Sequence, residues 1–137
     1  MDISVKEMLG KMIELGASDL HIAVGLPPVV RLSGDLHPLD GYPVLRQEDT
    51  QEIIYTVMNE EQIATFEATK ECDMSFGIDG LSRFRLNVFR DRGSVVAAFR
   101  AIPFEIRTAD ELGLPRVVQD FAHRPLGLIL VCGPTGS

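Results

Sequence analysis

The segment that most constrains the fold is Arg83-Phe-Arg-Leu-Asn-Val-Phe89, followed by Asp91-Arg92-Gly93 and a second apolar stretch, Ser94–Ile102. Strict alternation puts Phe84, Leu86 and Val88 on one side of a strand and Arg83, Arg85 and Asn87 on the other. A strand of this kind needs a sheet with one face in a core and one in water, which is the antiparallel arrangement. In the second stretch Arg100 is the only charge between Val95 and Ile102. A two-residue turn at Arg92-Gly93, or a four-residue turn over 91–94, sets Arg85 directly opposite Arg100. A three-residue turn with a bulge would break that facing. Like charges opposed across a ladder are destabilising, so the pair calls for an anion. A phosphate suits guanidinium groups geometrically. A local carboxylate such as Asp73, on the preceding strand, is the other solution.

The remaining pattern supplies the layers around this hairpin. Residues 4–15 read as an amphipathic helix, with Val5, Met8, Leu9 and Met12 on one stripe, a Ser4-x-x-Glu7 capping box and Gly16 at its end. Ser18–Ile22 alternates, Leu20 and Ile22 facing one way, Asp19 and His21 the other, with His21 hydrogen-bonding on the exposed side. Short strands are expected at 29–32 and 36–39 around a Ser33-Gly34 turn, and helices at 47–58 and 60–69, the latter capped by Asn59. Cys72, Met74 and Phe76 mark the strand before the hairpin. A Thr108-x-x-Glu111 turn stopped by Gly113 and a helix over 115–122 follow. This order is not a βαβα alternation; it is that of an α+β fold, one antiparallel sheet with helices packed on it.

Composition narrows function by exclusion. A net charge of −7 and an isoelectric point near 4.9 argue against nucleic acid or an anionic membrane as a general partner. No apolar run approaches the roughly 18–20 residues of a membrane span. Cys72 and Cys132 have no paired spacing and read as two buried free thiols rather than a disulfide or zinc site. Asp19, His21 and His37 lack ligand spacing, so no metal site is expected.

The final residues are of another kind. Leu128–Cys132 is apolar throughout, as a strand covered on both faces would be, and it runs into Gly133-Pro134-Thr135-Gly136-Ser137. A buried strand entering a Gly-rich turn is how a phosphate-binding P-loop begins; the full pattern is G-x-x-x-x-G-K-[ST]. Five positions are present, without the second Gly, the Lys or the Ser/Thr. The organisation expected is a domain over 1–104, a linker with short helices over 105–125, and the first strand of a truncated RecA-like domain over 126–137, poorly ordered or resting on a neighbour.

Taken together, Gly16-Ala-Ser-Asp-Leu-His21, Gly25-Leu-Pro-Pro28, Arg83–Phe89, Phe99-Arg-Ala-Ile-Pro103, Glu111-Leu-Gly113 and Gly127–Ser137 resemble the retraction ATPases of type IV pili, which drive twitching motility. They resemble more distantly the type II/IV secretion ATPase superfamily. The resemblance implies a PAS-like N-terminal domain ahead of a RecA-like motor. It also implies homohexamers using ATP and Mg, a pilus platform protein at the inner membrane as partner, no nucleic acid, and a cytoplasmic location at the pilus base. By the same resemblance Arg85 and Arg100 contact the nucleotide phosphates, with Arg83 a candidate helper, and Gly133 to Ser137 are a partial Walker A motif. Lacking the Lys and the downstream acidic motifs, this chain alone is expected neither to hydrolyse ATP nor to bind it tightly. A pilus-assembly or secretion ATPase is the alternative within the family. The start of the chain directly at the helix before Ala17-Ser18-Asp19 favours retraction. A stand-alone PAS-like binding or scaffold module is the alternative from another class.

Overall fold

The computed structural model describes residues 4–104 and 106–133. The chain divides into two compact units, Met1–Phe104 and Glu105–Ser137.

The first unit begins with helix α1, Val5–Glu14, whose N-cap Ser4 accepts a hydrogen bond from the Glu7 amide at 3.4 Å. Six strands follow the expected order: β1, Asp19–Ile22; β2, Val29–Leu32; β3, Asp35–Pro38; β4, Glu71–Ile78; β5, Ser82–Asp91; β6, Ser94–Ile102. They form one antiparallel sheet in the order β3-β2-β1-β6-β5-β4. Helix α2, Gln47–Tyr55, packs against β6, and α3, Glu60–Thr69, against β4. The α2 helix stops three residues short of the expected end. There Val57 and Met58 donate to the carbonyls of Ile54 and Tyr55, three residues back, so the last turn tightens and breaks. The α3 helix opens with a complete capping box: Asn59 Oδ1 accepts from the Gln62 amide at 2.8 Å, and Gln62 Oε1 from the Asn59 amide at 2.9 Å.

Met8, Leu9 and Met12 of α1, Ile54 of α2 and Phe66 of α3 meet Leu20, Val30, Phe84, Leu86 and Phe99 of the sheet in one fully buried core. The apolar side of every long strand is thereby committed, which leaves Arg83, Arg85 and Arg100 on the opposite, exposed side. The strand before the hairpin alternates in the same sense, its Cys72, Met74 and Phe76 turned toward the core.

In the second unit Thr108 and Glu111 form the expected capped turn. The Thr108 amide donates to Glu111 Oε2 at 2.7 Å, and the Glu111 amide to Thr108 Oγ1 at 3.3 Å. One helix follows, α4, Arg116–Ala122, with no buried residue. The strand expected at 128–132 is not present: Leu128 through Cys132 form no ladder, and Leu128, Leu130 and Val131 are 82%, 75% and 90% exposed. A strand exists only as a member of a ladder, and among the described residues nothing pairs with this run. Cys132 is likewise exposed and Cys72 half-buried, not buried as a pair.

Candidate functional site

The site is built by the hairpin of β5 and β6. Its two-residue turn holds Arg92 at φ 49° and Gly93 at φ 84°, the double left-handed pattern of a type I′ turn. That turn pairs Asp91 with Ser94, and the register carried down the ladder sets Arg85 directly opposite Arg100. Both side chains are exposed, 66% and 70%. Arg83, two residues before Arg85 and so on the same face, stands opposite Ile102 and makes no ion pair among the described residues.

The carboxylates beside them differ in kind. Asp73 of β4 lies diagonally from Arg85, its Oδ1 3.8 Å from Nη2, with both groups solvated. At that distance the contact is an ion pair without a hydrogen bond. Asp19, in contrast, is buried, its side chain only 9% exposed. It is paired in register with Arg100 on one side and Arg31 of β2 on the other. Arg100 Nε donates to Asp19 Oδ1 at 2.9 Å, the Ser18 hydroxyl donates to Oδ2 at 2.7 Å, and Arg31 Nε lies 3.7 Å from Oδ2. Burial pushes the Asp19 carboxyl upward, but the Ser18 hydroxyl and Arg100 outweigh it and hold the group below its ordinary value. The row Arg31, Asp19, Arg100, Arg85 thus crosses four strands with three guanidinium groups to one carboxylate. Asp19, Asp73, Arg85, Asn87, Ala98, Phe99 and Arg100 line a shallow cleft of about 360 Å³ there.

Asp73 is the carboxylate the sequence offers. The partner it does not reveal is Asp19, because β1 meets β6 across a separation of 81 residues. The available signal is that Asp19 is the lone acid of its strand and shares the outward side with His21. His21 also departs from expectation. Its Nε2 is buried without a hydrogen-bond partner among the described residues, and burial lowers its pKa, opposed by Asp19 and assisted by Arg31 and Arg100. Among the described residues no cluster of His, Cys, Asp or Glu could hold a metal. Of the five P-loop positions Gly133 is described, without regular structure and exposed, and 134–137 lie outside the described residues.

Relatives place this arrangement in context. The chain is 42% identical over all of its 137 residues to the type IV pilus retraction ATPase PilT of Pseudomonas aeruginosa. Over its whole length this chain is homologous to the N-terminal part of the type IV pilus retraction ATPases. It spans 39% of the length of that relative, in its N-terminal part. A second relative, the type IV pilus ATPase PilU of the same organism, is 36% identical over 132 residues, covering 96% of this chain and 34% of PilU. The crystal structure of the pilus retraction motor PilT with bound ADP superposes with a TM-score of 0.80 at 46% identity, over 99% of this chain and 40% of that one. No family model matches the sequence. Among the described residues no helix is long and apolar enough to cross a membrane.

Proposed function

We propose that this chain is the N-terminal, nucleotide-contacting domain of a hexameric motor ATPase that powers type IV pilus retraction and twitching motility. Arg85 and Arg100 touch the phosphates of the bound nucleotide, and Arg83 assists. The observation that carries this reading is the facing of two exposed guanidinium groups on the open side of the sheet, fixed there by the type I′ turn. Such a pair is unfavourable alone and becomes favourable with a polyanion between its members. The PilT structure contains ADP, an anion of the right class.

The residues present fit a phosphate and do not by themselves fit the whole nucleotide. The P-loop Lys and the Mg-binding hydroxyl are outside this sequence, and most of the amide cradle of a P-loop comes with the helix behind it. ATP with Mg supplies the phosphoryl group in the complete motor. This domain's share is to neutralise charge that grows on the phosphoryl oxygens and to couple nucleotide state to its own position in the ring. The motor is cytoplasmic and engages a platform protein of the pilus base at the inner membrane. The 137-residue chain alone has no turnover.

The test is steady-state ATP hydrolysis by the full-length motor carrying Arg85→Ala or Arg100→Ala. Losing one preorganised donor to a developing phosphate charge costs about 10²-fold in kcat, with hexamer and secondary structure intact. Turnover equal to the parent's in both variants excludes the phosphate role.

A further inference from the structure

The two arginines of the pair are held very differently, and the difference assigns a task to Asp19. Arg100 is anchored through Nε by a buried carboxylate at 2.9 Å, and that carboxylate is fixed by the Ser18 hydroxyl on its other oxygen. The terminal nitrogens of Arg100 make no hydrogen bond or ion pair among the described residues, and its side chain remains 70% exposed. A guanidinium tethered at Nε with its outer edge free keeps the two-pronged geometry that matches phosphate oxygens. Arg85 has only the 3.8 Å contact with exposed Asp73, which leaves its rotamers unrestrained. Arg31 Nη1 is spent on the Gly34 carbonyl at 2.7 Å, so that arginine screens Asp19 from the far side rather than competing for the cleft.

We propose that Asp19 is a positioning residue: it holds Arg100 by Nε so that the free edge of the guanidinium is pre-aimed at the nucleotide phosphate. The inference rests on the phosphate reading of the arginine pair. Its signature is the sign of an effect. A carboxylate beside an anion site repels the anion, so removing it on electrostatic grounds alone strengthens binding. Asp73 makes only a long, solvated ion pair with Arg85 and orders nothing, so its net effect on an anion is repulsion, whereas Asp19 also orders Arg100. Losing that order costs the immobilisation of one long side chain on binding, roughly a three- to tenfold weakening. The two isosteric changes Asp19→Asn and Asp73→Asn each remove one negative charge from the same cleft, and they should move nucleotide affinity in opposite directions.

The experiment measures KM and kcat for MgATP in the full-length motor for Asp19→Asn, Asp73→Asn, Arg100→Ala and the Asp19→Asn/Arg100→Ala double variant. Ser18→Ala serves as a milder perturbation that retains both charges. Asp19→Asn lowers kcat/KM roughly three- to tenfold and adds nothing in the Arg100→Ala background. Ser18→Ala shifts it the same way by less, and Asp73→Asn lowers KM. In the 137-residue chain, the Arg100 Nε–H resonance should be sharp and protected, and Asp19→Asn should broaden it. The positioning role is overturned if Asp19→Asn strengthens nucleotide binding as Asp73→Asn does, or if its loss persists undiminished without Arg100. Should Asp19→Asn fail to fold, Ser18→Ala with an unchanged kcat/KM overturns it as well. An Arg100→Ala motor that behaves as the parent removes the phosphate reading itself, which separates the two failures.

Discussion

Asp19 and His21 sit side by side on β1 and respond to acid in the same sense for different reasons. The Asp19 carboxyl is held below its ordinary value in the folded state. Its stabilising contribution is therefore complete above the unfolded-state pKa, about 3.9, and fades as pH falls through the lower folded value. Asp19→Asn should flatten the acid limb of the unfolding curve below about pH 4. Because Arg100 remains largely solvated and Arg31 keeps its bond to the Gly34 carbonyl, Asp19→Ala should cost only about 1–2 kcal/mol in chemical denaturation. His21, with its folded pKa lowered by burial, binds fewer protons folded than unfolded. Stability therefore rises with pH through the window below the imidazole's ordinary 6.5 and is lost toward acid. Thermal melts of His21→Phe should lose that part of the slope while retaining the carboxylate limb.

At the scale of elements, the hairpin of β5 and β6 does most to shape the site, and its turn is not optimal. Arg92 occupies a left-handed conformation at φ 49°, a place where Asn is preferred before Gly. Arg92→Asn should raise stability by about 0.5–1 kcal/mol, read as a higher Tm with the Arg85–Arg100 register unchanged. Phe99, fully buried on the inward side of β6, anchors the same hairpin from below, and Phe99→Ala should cost about 3–5 kcal/mol. Much of this was legible in the sequence because it is local. The period of two in 83–89 and a two-residue turn at Arg92-Gly93 give the facing of Arg85 and Arg100 without knowledge of any other strand, and the observed turn is of that kind and not the bulged alternative. Ser4 and Asn59 declare helix starts through bonds to residues three positions on. What was not legible is non-local. That β1 lies between β2 and β6, bringing Asp19 against Arg100, follows from how the sheet closes over α1 and α2. The end of α2 is hidden in the sequence because Val57 and Met58 continue the apolar stripe while the backbone tightens beneath them. The run at 128–132 has the composition of a strand, but composition alone supplies no ladder.

At the scale of the molecule, every buried core residue among the described residues belongs to the first unit. Residues 1–104 expressed alone should therefore unfold cooperatively with the antiparallel sheet intact, checked by circular dichroism and thermal melting. Exposed Leu128, Leu130 and Val131 make an apolar stretch that favours association. Sedimentation of the 137-residue chain should show concentration-dependent assembly that disappears when 126–137 are removed. The acidic chain as a whole contrasts with the row through Asp19, where three guanidinium groups stand to one carboxylate. The most direct measurement of the central claim is a structure of the full-length motor bound to a non-hydrolysable ATP analogue. The account predicts that Arg85 and the outer edge of Arg100 lie within about 3 Å of phosphate oxygens, with Arg100 Nε still on Asp19. Phosphates bound elsewhere, with both arginines turned onto Asp19 and Asp73 alone, would contradict it.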